Sequence, residues 1–164
     1  MKDYKHKKAC SALICWRDKI LFFHRDNKPN IIDPNLWSLP GGEIEKGEHP
    51  DQTIIRELLE EVSYSPKGLK FFSKIHRGTY SSYLYVAFII DKEAKLFHIG
   101  KKEGQEIGFF NLDEALKLKL TKIVKEYLMF YKKKIKQALK TKSLQQINTG
   151  RDLCRPARFY YEFL

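Results

Sequence analysis

The sequence predicts an α/β fold, a mixed central sheet with helices on both faces, and three observations lead there. Runs rich in β-branched and aromatic residues recur at Ala9–Trp16, Lys19–His24, Lys70–Arg77 and Ser82–Ile90. Two stretches with apolar residues at helical spacing, Pro50–Ser63 and Thr121–Lys142, are interleaved with or follow those runs. The chain has 164 residues and is 43% hydrophobic, enough for one domain with a real core. No run reaches the ~18 apolar residues that a membrane span needs.

Taken in order, the basic start Met1–Lys8 followed by apolar Ala9–Trp16 has some look of a secretion signal. Arg17-Asp18-Lys19 interrupts the apolar run and no clear small-residue cleavage site follows, so a buried first strand is expected. Arg17-Asp18 then makes the turn of a hairpin into Lys19–His24. Arg25–Asn35, with two prolines and three asparagines, is a loop, and Trp37–Leu39 a short strand that ends at Pro40-Gly41-Gly42. Pro50 suits a first helical position, which opens a helix running to about Ser63. Ser82–Ile90 is apolar on both faces and belongs inside the sheet. Ile107–Phe110 is a further strand, Leu112–Leu118 a short helix, and Thr121–Lys142 one longer helix. Residues 1–142 form the domain; 143–164 form a basic extension ending in Arg158-Phe159-Tyr160-Tyr161-Glu162-Phe163-Leu164, too aromatic for a simple solvated tail. It would cover an exposed patch or pair with a second subunit as a homodimer.

The helix beginning at Pro50 carries the chemistry. Glu57, Glu60 and Glu61 stand at i, i+3 and i+4, so their carboxylates share a face. Ile55, Leu58, Leu59 and Val62 are expected on the other side, against the sheet. Like charges at these spacings cost an isolated helix about 0.2–0.5 kcal/mol per pair. Accepting that cost without an interleaved cation points to a bound one, and hard oxygen ligands suit Mg²⁺ or Mn²⁺.

The spacing from Gly42 through Glu48 to Arg56-Glu57-Leu58-Leu59-Glu60-Glu61 resembles the signature of the Nudix hydrolases, and Leu36–Gly42 resembles the strand and turn that precede it. The resemblance implies a Nudix-type α/β/α sandwich. It also implies Glu57, Glu60 and Glu61 as metal ligands with the Gly41 carbonyl, Arg56 as the residue that orients the carboxylates, and Glu48 as a support of the loop. Ser63 stands where the family has glycine. In a left-handed helix end a side chain costs roughly 1–2 kcal/mol, so serine either taxes that end or changes it. Lys102-Glu103-Gly104-Gln105 resembles a segment of MutT-type members whose glutamate faces the metals; Glu103 and Glu57 are thus both candidates for general base and ligand. Arg25 falls where such members carry an arginine near the nucleotide.

The implied reaction is hydrolysis within the diphosphate of a nucleoside diphosphate derivative. The first expectation is a nucleoside triphosphate, oxidised guanine nucleotides among them, cleaved to monophosphate and pyrophosphate. ADP-ribose, dinucleoside polyphosphates and triphosphorylated RNA ends are alternatives, as is a nucleotide-binding module without catalysis. Phe23, Trp37, Tyr80 and Tyr83 are candidates to stack on a base, although strand aromatics are more often core.

The formal charge of +11 is uneven: +3 in residues 1–8 and +7 in 131–164, leaving +1 between them. Basic ends suit polyanions, RNA among them, or simply a solvated lysine-rich helix. Cys10, Cys15 and Cys154 lack metal-like spacing and fit reduced thiols in a cytoplasmic protein.

Overall fold

The structure, a computed structural model, describes residues 7–77, 80–101 and 103–142. Strand β1 (Lys7–Trp16) turns at Arg17 and returns as β2 (Lys19–His24). A two-residue strand β3 (Trp37–Ser38) precedes helix α1 (Pro50–Val62). β4 (Lys70–Arg77) and β5 (Tyr80–Ile89) form an antiparallel pair, and β6 (Glu106–Asn111) lies along β2. Among the described residues the strand order is β3-β2-β1-β5-β4, with β6 on β2. β5 is interior as its two apolar faces require, and it pairs parallel to β1 from Lys7↔Tyr80 to Trp16↔Ile89. The sheet is therefore mixed.

The hairpin is paired only at its turn, where Cys15 faces Ile20 and Trp16 faces Lys19. Further along, β1 and β2 part, and the chain from Trp37 to Glu43 occupies the gap. On one side Phe23 pairs with Ser38; on the other, Ala12 N–H donates to Pro40 O and Cys10 N–H to Gly42 O, both at 2.8 Å. The Pro-Gly-Gly turn is thus laid into the sheet beside β1. Gly41 has φ +141°, and a Cβ there would come within 2.2 Å of the Cys10 carbonyl.

Period-2 alternation divides the core between the two faces. Leu13, Cys15, Phe22, Leu84 and Val86 pack on one side against Leu112, Val124, Leu128, Ile135 and Leu139. Ala12, Ile14, Leu21, Tyr85 and Ala87 pack on the other against Ile54, Leu58 and Val62 of α1. The result is the expected α/β/α sandwich. Cys10 and Cys15 are buried free thiols, each pushed up to about 12 by loss of solvent. No described helix is long and apolar enough to cross a membrane.

The C-terminal helix differs from expectation. It divides at Tyr131 into α4 (Lys122–Phe130) and α5 (Lys132–Thr141), with no proline or glycine at the break. Val124 and Leu128 of α4 and Ile135 and Leu139 of α5 all reach one core. Lys132 and Lys136 meanwhile both reach Asp113, each at 2.8 Å, on the short helix α3 (Leu112–Ala115). A four-residue helix α2 (Asp91–Ala94) was not anticipated. Cys154 and the 143–164 extension, with the RNA and second-subunit roles expected of it, lie outside the described residues.

Two predictions follow from these elements. Ser63 does sit left-handed after α1, at φ 59°. Ser63→Gly is expected to raise stability by about 1 kcal/mol, read as a higher denaturant midpoint. The two lysines hold Asp113 down to about 2, below its ordinary 3.8. Because the folded value is depressed, its contribution is present above pH ~4 and fades as pH falls toward 2. Asp113→Asn should therefore be less stable than the parent near neutrality, and the gap should narrow through that acid window and with added salt.

Candidate active site

Helix α1 is placed by both of its ends. At the start, Asp51 N–H donates to His49 Nδ1 (3.3 Å) and His49 N–H to Gln52 Oε1 (3.0 Å), with Pro50 in the first helical position. The Tyr85 hydroxyl of β5 donates to the Asp51 carboxylate, which ties the first turn to the sheet. At the finish, Gly100 N–H donates to Glu61 O (2.9 Å) and His98 N–H to Val62 O (3.3 Å), satisfying carbonyls that a helix end leaves open. A Cβ on Gly100 would lie 1.6 Å from Glu60 O, so only glycine permits this approach.

The helix is rolled differently from the sequence expectation. The face on the sheet is Ile54, Leu58 and Val62, whereas Ile55 and Leu59 are 46% and 52% exposed. The reason is that two of the glutamates are themselves pulled inward: Glu57 is 8% exposed and Glu61 3%. Glu61 accepts from Gly41 N–H at 2.8 Å. The Glu57 carboxylate lies so close over Gly42 that a Cβ there would come within 2.4 Å of it. Glu60 stays at the surface.

Arg56 binds the acids together. Its Nε and Nη2 donate to the two oxygens of Glu48 (2.9 and 3.0 Å), a forked pair. Nη1 donates to Glu57 (2.8 Å) and Glu60 (3.1 Å), and Nη2 also to the Glu43 carbonyl (3.3 Å). Glu48 further accepts from buried Thr53 Oγ1 (2.7 Å) and Glu45 N–H (3.2 Å). Arg56 and Thr53 hold its carboxyl down at about 2.

The deeper carboxylates behave oppositely. Loss of solvent raises Glu57 above its ordinary range against the pull of Arg56, with Glu60 and Glu103 adding repulsion. Burial raises Glu61 further; the Gly41 N–H opposes this, and Glu57 and Glu103 reinforce it. Glu103 is exposed on the wall of the same groove, and no described residue hydrogen-bonds it. Its loop is anchored behind it. Gly104 sits where a Cβ would strike the Phe23 ring, and Gln105 Nε2 donates to Arg25 O (2.7 Å) and Asn35 Oδ1 (3.0 Å). Arg25 uses Nε on the Ile32 carbonyl (3.1 Å), and its charge is felt at Glu61.

As placed, no three His, Cys, Asp or Glu side chains among the described residues converge into a metal cluster; Arg56 occupies Glu57 and Glu60. The donor set nonetheless fits a hard divalent cation: all oxygen, partly desolvated, and mutually repelling enough to gain from one. The Gly41 carbonyl is available as well, with no described residue donating to it. Pro40 and Gly42 carbonyls, by contrast, are taken by β1.

Phe23 and Trp37 are core, Trp37 stacked on His24 at 4.7 Å. Tyr83 is only half buried and lines the groove. Lys7, Lys8, Lys46 and Lys101 also line it, although sequence reasoning assigned none of them a place there. Lysines carry no spacing signal, and only the fold brings these four to one groove.

The NUDIX domain family matches residues 5–131. An ADP-ribose pyrophosphatase of Methanocaldococcus jannaschii is 31% identical over 125 residues, 73% of this chain and 72% of that protein. An 8-oxo-dGTP diphosphatase of Escherichia coli is 46% identical over 41 residues, 25% of this chain and 32% of that protein. Among solved structures, the NUDIX domain of Shewanella oneidensis NrtR complexed with ADP ribose superposes with a TM-score of 0.64 at 18% identity. That match covers 78% of this chain and 87% of that one. Signature, sandwich and family match agree, and the chain belongs to the NUDIX domain family of hydrolases.

Proposed function

We propose that the protein hydrolyses the diphosphate linkage of a nucleoside diphosphate derivative, with Mg²⁺ or Mn²⁺ held by Glu57, Glu60 and Glu61 and joined by the Gly41 carbonyl. One observation carries the reading: two carboxylates, Glu57 and Glu61, are buried side by side on one helix against a glycine turn. Burying carboxylates is costly, and a divalent cation is the counter-charge that restores their ionised form. Bound there, the ion supplies charge to phosphate oxygens and acidifies water at neutral pH.

Arg56 keeps Glu57 and Glu60 pointing into the groove, and Glu48 keeps Arg56 in place. Glu103, hydrogen-bonded by no described residue, is the base we assign: it takes a proton from water as the water oxygen bonds to phosphorus. The phosphorus–oxygen bond to the departing phosphate then breaks, and the bridging oxygen leaves with that phosphate. Two substrates are supported by separate observations. A 41-residue match at 46% identity and a 109-residue match at 25% are to proteins named for 8-oxo-dGTP, which supports a nucleoside triphosphate. Matches over 125 and 119 residues are to proteins named for ADP-ribose, the second of Bacillus subtilis at 28% identity, and these support ADP-ribose. A nucleoside triphosphate would yield pyrophosphate, and ADP-ribose two phosphate monoesters, so separate assays of the products on both substrates distinguish them.

Glu57→Gln and Glu60→Gln should each lower kcat on the order of 10²–10³-fold and weaken metal affinity, with melting temperature unchanged. Glu103→Gln should lower kcat with metal affinity kept. Unaltered turnover in the first two would end the proposal. Gly42→Ala should fold, because only the flexible end of Glu57 must move aside, yet lose on the order of 10²-fold in turnover as that carboxylate shifts.

A further inference from the structure

We infer that the sheet edge beside α1 holds the substrate's nucleobase, on a platform formed by Tyr83 of β5 and Phe71 of β4 with Lys74 over the Tyr83 ring; the inference rests on the hydrolase reading for where the diphosphate lies. The groove follows α1 from end to end. Pro50, Lys8 and Tyr83 line it at the start of the helix, Ser63 and His98 at the finish, and Glu57 and Glu60 between them. Thirteen helical residues span about 20 Å, more than a diphosphate needs. Its volume of about 1480 Å³ likewise exceeds the roughly 300–1,000 Å³ of ordinary small-molecule sites. The groove is built for a ligand that continues past the acids.

What continues at the Pro50 end is aromatic and basic. Tyr83 pairs with Cys10 in register, and Lys8 stands two residues before Cys10 on the same face. Across the other edge Lys74 pairs with Tyr83, and its ammonium lies 5.0 Å above that ring. Phe71, 53% exposed, packs on Tyr83 (6.4 Å) and on Tyr85 (5.7 Å). Because the Tyr85 hydroxyl is bonded to Asp51 in the first turn of α1, the rings are fixed relative to the acids. Lysines on an edge strand also discourage strand pairing, but that role calls for no exposed ring next to them. Open aromatic faces with cations alongside suit a base and its phosphate. A base stacked on Tyr83 takes the face Lys74 now covers, and the lysine turns to the ligand's phosphate.

The test uses Glu57→Gln protein without metal, so that binding is read apart from turnover. AMP, GMP and base-free ribose 5-phosphate are titrated by NMR against this protein and against its Phe71→Ala and Tyr83→Leu derivatives. Each derivative should weaken AMP and GMP roughly tenfold and leave ribose 5-phosphate unchanged. Equal binding of AMP by all three proteins overturns the platform, as does an absence of AMP binding to Glu57→Gln itself. So does loss of a dimer in Phe71→Ala by light scattering, which would assign the patch to a second copy. Hydrolysis by the unaltered enzyme is scored separately. If it persists while the platform fails, the proposed function stands; if it is missing while AMP binding follows the rings, only the proposed function falls.

Discussion

Everything at the site depends on how one guanidinium is shared. Arg56 donates to Glu48, Glu57, Glu60 and the Glu43 carbonyl, so its rigid fork links the loop before α1 to two carboxylates on the helix. A lysine could neutralise the same charge and could not hold three acids in fixed directions. Glu48 is fixed in turn by Thr53 and the Glu45 amide, which makes the assembly a closed loop of contacts. The repulsion between Glu57 and Glu60 is therefore eased by a side chain of the same helix, while Glu61 has only the Gly41 N–H.

The second constraint is the wedge between β1 and β2. A hairpin paired along its whole length would leave no place for Pro40-Gly41-Gly42 inside the sheet. Because the strands pair only near their turn, the glycines lie beside β1 and directly beneath α1. There Gly41 turns its N–H to Glu61, and Gly42 leaves room for the Glu57 carboxylate. A side chain on Gly41 would strike the Cys10 carbonyl, and one on Gly42 would push the Glu57 carboxylate aside, so backbone approach and carboxylate placement are linked.

These two constraints explain what was legible in the sequence. The strands could be read because alternation is a local property. The same holds for Pro50 and Ser63, whose caps act on adjacent residues. The roll of α1 was misread: counting apolar residues put Ile55 and Leu59 on the sheet, and that count treats every glutamate as solvent-seeking. Two buried glutamates displace the apolar stripe toward Ile54. The break at Tyr131 was illegible because no proline, glycine or cap residue marks it. Gly100 carried no visible motif, and the segment containing Gln105 pointed to Glu103 rather than to the amide's own contacts. Their importance comes from backbone and loop contacts that exist only once residues 40 and 80 positions away, respectively, are alongside.

The electrostatics of the groove combine two demands. A cluster of glutamates repels a polyphosphate, and burial makes that repulsion stronger because the local dielectric is lower. Yet the same groove is lined by Lys7, Lys8, Lys46 and Lys101, none of which is hydrogen-bonded to Glu57, Glu60 or Glu61. Cations around an acidic centre let a polyanion settle with its outer charges on lysine while its bridging oxygens approach the acids. That approach is favourable only when a divalent ion stands between phosphate and carboxylate. Under the proposed function the lysines thus attract the substrate, and the acids make the seating of its diphosphate, rather than of its base, conditional on metal.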